Sequence, residues 1–147
     1  MEKALQSYLH KNIPISQAMG ITVLHASAEK VIVSAPFANN INHKQTVFGG
    51  SLHAVATLAC WSLLYLHLKD AGTKHYQIVI TESHVSYHAP VDSDFSVVCL
   101  SPQKSAWERF LKVLSAKGKA RLDLTAHLQH NDRLALSYQA TFAAISL

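Results

Sequence analysis

The sequence predicts an α+β fold in which a curved antiparallel sheet wraps around one long central helix. The stretch from about Gly49 to Lys69 is apolar nearly all round. Such a helix, roughly 30 Å long, must be enclosed on most of its sides. Extended segments follow it and are joined by short turn-like sequences, as in an antiparallel sheet. No internal repeat or linker interrupts the 147 residues, so we expect a single domain over residues 1–147.

Before the central helix, the chain predicts a short helix that ends near Gly20, followed by two modest strands. The strands lie around Ile21–Ala26 and Lys30–Ala35. A polar segment, Asn39 to Gln45, then leads into the central helix. Its polar composition predicts a loop at the helix entrance.

After the central helix, two extended runs cover His75–Ala89 and Ser93–Leu100, joined by the turn-like sequence PVDSD. Ser105 and Glu108 have the spacing of a capping box and predict the start of a further helix. Gly118 predicts its end. The long run His75–Ala89 is an edge-strand candidate that needs a partner.

The last part of the chain predicts a β-hairpin. Lys119–His130 alternates apolar and polar residues, and Asn131-Asp132 suits a two-residue turn. The inward face of the final strand is predicted to carry Leu134, Leu136, Tyr138, Ala140 and Phe142.

Composition favours a compact globular protein, because 49% of the residues are apolar and only 15% are charged. The formal charge is +4, and six of the thirteen Lys and Arg residues fall between Lys104 and Arg121. This basic stretch suits an anionic partner, such as nucleotide phosphates or an acidic carrier protein, or else a solvated face. No aromatic residues suited to base stacking are interleaved with these charges, so we expect no nucleic-acid partner.

The chain is predicted to work in the cytoplasm. Cys60 and Cys99 lie in apolar runs without motif spacing, which indicates free buried thiols in a reducing compartment. The N-terminal stretch MEKALQSYLHKN lacks the apolar core and cleavage site of a signal peptide. Polar residues such as His53 and His67 interrupt the apolar run of the central helix. We therefore expect a buried core helix and no membrane insertion.

Two strings carry a family resemblance: NHKQTVFGGSL at the entrance of the central helix and VSYHAPVDSDF at a strand end. With the order of elements, they resemble the hot-dog-fold thioesterases. Within that superfamily, nearly the whole chain is similar to the thioesterase family named for the C-terminal domain of YiiD. The resemblance implies a hot-dog fold and a homodimer or higher homo-oligomer. It also implies a substrate of fatty-acid metabolism, an acyl thioester carried by coenzyme A or acyl carrier protein, with no cofactor besides the carrier itself.

The adjacent Gly49 and Gly50 are the first site candidates. In related hot-dog enzymes the thioester carbonyl meets backbone N–H groups at the start of the central helix, which the resemblance places here. Those N–H groups have no partner inside the helix and carry the positive end of its dipole, so they suit a developing oxyanion. Because Gly49 and Gly50 have no Cβ, the thioester can reach these N–H groups. The alternative is that the glycines only allow a tight turn or close packing.

The residue that handles water is less obvious. Many related enzymes carry an acid about two turns into the helix, where this chain has Thr57, and no acid lies between Gly50 and Lys69. Asn42 can orient a thioester or water, and His43 suits general base work.

Both of these residues could instead only brace their loop. Thr57 is interpreted mainly as a small polar residue where helix and sheet pack closely, and only secondly as a residue that polarises water. Ser51, a further catalytic candidate at the helix start, lacks a partnered base, and no serine-hydrolase elbow occurs.

Substrate contacts are predicted on both sides of the glycines. Thr46 is a polar neighbour, and an apolar acyl pocket is expected from Phe48, Leu52, Val55 and Tyr87. Lys104 and Arg109 are expected to contact phosphates of the carrier. The ten histidines do not predict a metal site, because the closest pairs have spacings that separate their side chains along a strand.

Three functions follow from these features. The first is acyl-thioester hydrolysis, with the helix start as the oxyanion hole. The second is decarboxylation of a malonyl-type thioester, which needs oxyanion stabilisation but no carboxylate base. The third is non-catalytic binding of an acyl thioester. The resemblance favours hydrolysis, while the missing acid leaves the other two open.

Overall fold

The predicted α+β architecture is confirmed by the computed structural model, which describes residues 1–73 and 75–147. The elements, in chain order, are α1 (Glu2–Asn12), α2 (Pro14–Ala18), β1 (Thr22–Ala26), β2 (Lys30–Ala35), α3 (Phe37–Asn40), α4 (Gly49–Asp70), β3 (Tyr76–Tyr87), β4 (Phe95–Leu100), α5 (Lys104–Lys117), β5 (Lys119–His130) and β6 (Arg133–Ser146).

The strands form one antiparallel sheet in the order β1-β2-β4-β5-β6-β3. The long helix α4 packs against this sheet, and Val55, Ala59 and Leu63 are fully buried along it. By length and composition α4 could cross a membrane, but most of its apolar stretch is buried inside the fold. The helix is therefore the core of the fold, as its apolar character predicts.

The core also holds the two cysteines. Cys60 on α4 and Cys99 on β4 are free and buried, which confirms the prediction of buried thiols. A hydrogen bond to Cys99, together with burial, raises the pKa of the Cys60 thiol well above its ordinary value. Both side chains therefore act here as small apolar residues of the core.

The final hairpin forms as predicted, except that Leu134, expected on the inward face, is 42% exposed, because the β5–β6 pairing shifts register between Leu128 and Gln129, which pairs with Leu134. On β5 the residues from Ala120 to Leu128 alternate between buried and exposed, with His127 half-buried, so one face of the strand turns towards the core. Asn131 and Asp132 have φ angles of 52° and 60°, the left-handed values that a type I′ hairpin turn requires at both central positions.

Two predicted boundaries were wrong. The N-terminal helix breaks at Ile13 into α1 and α2, because a proline disfavours helical backbone in the residue before it and Pro14 opens the second helix. Helix α5 begins at Lys104 without a side-chain cap, so the predicted capping box of Ser105 and Glu108 is absent. Glu108 instead lies 3.8 Å from the Lys104 ammonium group.

Candidate functional site

The two sequence strings that carry the family resemblance, NHKQTVFGGSL and VSYHAPVDSDF, meet at the N-terminal end of α4. The Val47 N–H donates to the Val91 carbonyl over 2.8 Å, which joins the loop before α4 to the segment after β3. The Tyr87 hydroxyl, at the end of β3, donates to the Gly49 carbonyl over 3.1 Å. The start of the central helix and the end of strand β3 therefore form one local structure.

The first turn of α4 leaves backbone donors free. The N–H groups of Ser51 and Leu52 both donate to the Phe48 carbonyl, over 3.0 and 3.2 Å. The N–H groups of Gly49 and Gly50 have no hydrogen-bond partner among the described residues. They lie at the positive end of a 22-residue helix, so this end can accept a partial negative charge.

A close neighbour at Gly50 is the ring of Phe48. A Cβ built on Gly50 would lie 2.3 Å from the nearest ring carbon of Phe48, whereas one on Gly49 would lie 3.6 Å from the Tyr87 ring. Within this chain, therefore, Gly50 allows a ring to approach the backbone and Gly49 has ordinary room. Phe48 is 57% exposed, so its ring has space to move when something else approaches Gly50.

An apolar cavity of about 410 Å³ begins at Gly50 and follows α4. One wall is a stripe of α4 residues spaced three or four apart, and the other is the segment around α2. The lining residues are Gly50, His53, Ala54, Thr57, Leu58 and Trp61 on α4, with Ile13, Ile15 and Met19 opposite. From Gly50 to Trp61 the helix rises roughly 17 Å. The volume lies within the range of small-molecule sites.

Aromatic rings extend this wall beyond Trp61. The Trp61 ring stacks on Tyr65 with centroids 5.1 Å apart, and Tyr8 of α1 stacks on Tyr65 at 4.9 Å. The apolar surface therefore continues from the cavity along α4 to α1.

A small polar cluster forms one part of the cavity wall. The Thr57 hydroxyl donates to the His53 carbonyl over 2.9 Å and lies 2.8 Å from the Tyr138 hydroxyl. Because the carbonyl can only accept, the Thr57 proton is used there and Tyr138 donates to Thr57. Burial raises the pKa of Tyr138 to about 12, so it stays neutral. Thr57 is thus held by two hydrogen bonds.

His53 is the titratable side chain among the cavity-lining residues that the structure describes. Its Nε2 lies 3.0 Å from the Ser83 hydroxyl on β3, and its ring packs edge-on against Tyr138 with centroids 5.5 Å apart.

Asn42 and His43 lie outside the cavity lining. The Asn42 side chain accepts hydrogen bonds from the Lys44 and Thr46 N–H groups over 2.8 and 3.3 Å, and its amide donates to the Thr46 hydroxyl over 3.1 Å. These hydrogen bonds, including those to Thr46, brace the loop before α4. Bracing of this loop was the alternative role that the sequence left open for Asn42. His43 is exposed to solvent.

The other predicted contacts are divided between the core and the surface. Leu52 and Val55 are buried in the core, on a different side of α4 from the cavity. Ser51 is half-buried and does not line the cavity. Phe48 and Tyr87 lie beside the glycines but outside the lining, and Tyr87 is 52% exposed.

The predicted phosphate contacts lie near the other end of α4. The His67 ring stacks on Trp107 of α5 with centroids 3.6 Å apart, and Lys104 and Arg109 flank Trp107 on α5. Since α4 rises roughly 26 Å from Gly50 to His67, a single chain does not bring these cations to the glycines.

Sequence reasoning missed most of the cavity. The stripe Gly50, Ala54, Leu58 and Trp61 has helical spacing, and that spacing was the available signal. No comparable signal linked Ser83, on a distant strand, to His53. In the described part of the chain, no group of three or more His, Cys, Asp or Glu side chains is placed to hold a metal ion.

Comparisons with known proteins agree with this architecture. Residues 2–146 match the model of a family described as "Putative thioesterase (yiiD_Cterm)". The chain is 30% identical to a protein of unknown function from Chlorobaculum tepidum TLS, with a TM-score of 0.93 over 99% of this chain and 94% of the other. It is 28% identical to a protein from Shewanella oneidensis named a putative thioesterase, with a TM-score of 0.83 over 98% and 96% of the two chains.

A thioesterase from Haemophilus influenzae has the same fold at 12% identity, with a TM-score of 0.76 over 100% of this chain and 92% of the other. At that identity the likeness concerns the fold alone.

Proposed function

Because the chain belongs to the thioesterase family named for the C-terminal domain of YiiD, we propose that it hydrolyses acyl thioesters of coenzyme A or acyl carrier protein at the start of α4. The observation that carries this proposal is the cavity that begins at Gly50, where two backbone N–H groups lack partners. A thioester carbonyl and its acyl chain need those two features side by side.

The helix start supplies electrostatic stabilisation. As water attacks the thioester carbon, the carbonyl oxygen becomes negative, and free N–H groups at a helix N-terminus stabilise that charge without reorganising. Gly49 and Gly50 provide such donors, and Gly50 also lines the cavity.

The cavity wall supplies binding energy for the acyl group. Its lining is almost wholly apolar, and each methylene removed from water contributes about 0.8 kcal/mol. The acyl chain is expected to lie along α4 with its tip towards Trp61. A longer chain would reach the aromatic rings of Tyr8 and Tyr65.

We propose that two copies of the chain form the working unit. No residue of the edge strand β3 is buried within the single chain, although this strand carries Ser83 and Tyr87 next to the site. A second copy that pairs with β3 would cover both. It would also offer a way to bring a partner's basic α5 surface, which includes Lys104 and Arg109, towards the carrier phosphates.

The first prediction is that the purified protein releases free thiol from saturated acyl thioesters. Thiol release and CO2 release are followed separately, with acyl and malonyl thioesters as parallel substrates. Thiol release from the acyl substrates supports hydrolysis. CO2 release from the malonyl substrate without thiol would instead indicate decarboxylation, and binding without either product would indicate a non-catalytic binder.

The second prediction tests whether Gly50 is needed for approach of the thioester or only for approach of the Phe48 ring. Gly50→Ala places a Cβ where the Phe48 ring now lies, and Phe48→Ala removes that ring. If the thioester approaches Gly50, both Gly50→Ala and the double variant should lose on the order of 100-fold to 1,000-fold in kcat. Phe48→Ala alone serves as the reference, and melting temperatures check the fold. Recovery of activity in the double variant would mean that the glycine serves only the Phe48 ring.

A further inference from the structure

We propose that His53 is the general base of the hydrolysis and that Ser83 positions it, an inference that rests on the proposed function. The position at which many related hot-dog thioesterases carry an acid falls at Thr57, whose hydroxyl proton is donated to the His53 carbonyl and which accepts from Tyr138. Among the described residues of the lining, His53 carries the side-chain type most often used as a general base.

The position of His53 on the helix suits this role. It follows Gly50 by three residues, so the two lie on the same face of α4. Side chains of an α-helix tilt back towards its N-terminus and cover the preceding turn. A water between His53 and a carbonyl carbon held at Gly50 would therefore lie within the cavity.

The hydrogen bond to Ser83 determines which ring nitrogen is free. The Nε2 of His53 lies 3.0 Å from the Ser83 hydroxyl, and no partner of Nδ1 occurs among the described residues. When Nε2–H donates to Ser83, the lone pair stays on Nδ1 and can accept a proton from water. Ser83 thus acts through His53, as a positioning residue.

The reaction balances with water as the only co-reactant. Nδ1 takes one proton from water while the water oxygen forms a bond to the thioester carbon, and the carbonyl oxygen becomes an oxyanion held by the N–H groups of the helix start. The oxyanion then re-forms the carbonyl, the C–S bond breaks, and the thiolate takes the proton from the imidazolium. The products are a carboxylic acid and a free thiol.

In the described structure, no charged side chain forms a hydrogen bond or ion pair with the His53 ring. Tyr138, which packs against the ring from β6, is neutral because burial raises its pKa to about 12. Ser83 faces the ring from β3 without a charge, and the residues opposite on the α2 side, Ile13, Ile15 and Met19, are apolar.

The test compares His53→Ala and His53→Gln with the wild type in the thiol-release assay. A general base contributes about 100-fold to 10,000-fold, so both variants should lose kcat on that scale with little change in KM. Added imidazole should partly restore His53→Ala, because a small base can enter the vacated space. His53→Gln guards against a folding defect, since it keeps a side chain that can bond to Ser83.

Ser83→Ala should lower kcat by less and move the acidic limb of the pH–rate profile, while Ser83→Thr should restore both. The matched control is His25→Gln on β1. That histidine also bonds to a serine, with its Nε2 3.2 Å from the Ser27 hydroxyl, but at the opposite edge of the sheet. It should keep wild-type kcat.

The outcomes distinguish this inference from the proposed function. If the wild type releases thiol and folded His53→Ala and His53→Gln are as active, the role of His53 is wrong while hydrolysis stands. The His53 variants could also be inactive while added imidazole fails to restore His53→Ala and the pH–rate profile of Ser83→Ala matches the wild type. In that case His53 has a structural role, and its assignment as the general base is wrong. If the wild type releases no thiol, both proposals are wrong.

Discussion

The two edges of the sheet are completed in different ways. At the β1 edge, side chains of α1 bond to the free backbone: the Gln6 carbonyl accepts from the Val23 N–H over 3.0 Å, and the Glu2 carboxylate accepts from the Ala26 N–H over 3.1 Å. A hydrogen bond from its own N–H, together with the one from Ala26, lowers the pKa of Glu2. This edge is closed within the chain.

The β3 edge has no such cover in the described structure. Its 12 residues are half-buried or exposed throughout, and Ile80 at its middle is 44% exposed. This strand also holds Ser83 against His53 and Tyr87 against Gly49. The open edge is thus the one next to the candidate site, and under the proposed pairing a second copy would cover both contacts.

Between the two edges, the largest expected effect comes from a charge on the open one. In a two-fold antiparallel pair of β3 strands, Ile80→Lys would place two like charges near each other and replace apolar contact. The wild type should sediment as a dimer at micromolar concentration, and the variant as a monomer with lower thioesterase activity.

Leu24→Lys is the matched control for this experiment. Leu24 is 54% exposed on β1, the closed edge, so the same substitution there should leave the dimer intact. A wild type that sediments as a monomer would contradict the comparison of the edges. Equal dissociation of both variants would mean that charge alone, and not the open edge, is responsible.

The fold was predictable because its signals are local. An apolar helix of this length must be buried, and the antiparallel strands that follow it can enclose it. The alternation of β5 and the turn at Asn131-Asp132 specify the hairpin. The errors lie where two local rules compete. Pro14 divided the first helix although apolar residues continue through it, and Lys104 started α5 one residue before the serine expected to cap it.

The candidate site was predictable only in part. The glycine pair at the helix start is visible in the sequence, because glycine is unusual there. The cavity beside it depends on how α2 packs across α4, and the His53–Ser83 contact joins residues 30 apart. Asn42 could not be assigned either, since the bonds that keep it in its loop depend on the turn from Asn42 to Thr46.

A smaller effect is expected at the closed edge. Gln6→Ala removes the acceptor of the Val23 N–H and should lower the free energy of unfolding by about 1 kcal/mol, measured by urea denaturation. Gln6→Glu keeps an acceptor oxygen and should lose less. Neither variant should change the oligomeric state. Equal stability of Gln6→Ala and the wild type would show that the hydrogen bond from Val23 to Gln6 contributes nothing to the stability of this edge.

The smallest effect concerns the turn between β1 and β2, which ties the closed edge to α4. The Nε2–H of His67 donates to the Ala28 carbonyl in this turn, and the His67 ring stacks on Trp107. Burial lowers the pKa of His67 below its ordinary value of 6.5. The folded protein therefore binds the proton more weakly than the unfolded chain does.

The sign of the pH dependence follows from that difference. As the pH falls below 6.5, the unfolded state takes up the proton first, so the free energy of unfolding should decrease on acidification. His67→Phe keeps an aromatic ring on Trp107 but cannot be protonated. Urea denaturation between about pH 7 and pH 5, where histidines titrate, should give a shallower loss of stability for His67→Phe than for the wild type. Parallel curves would mean that the folded and unfolded states bind the His67 proton equally well, and the closed edge would then owe its pH response to other groups.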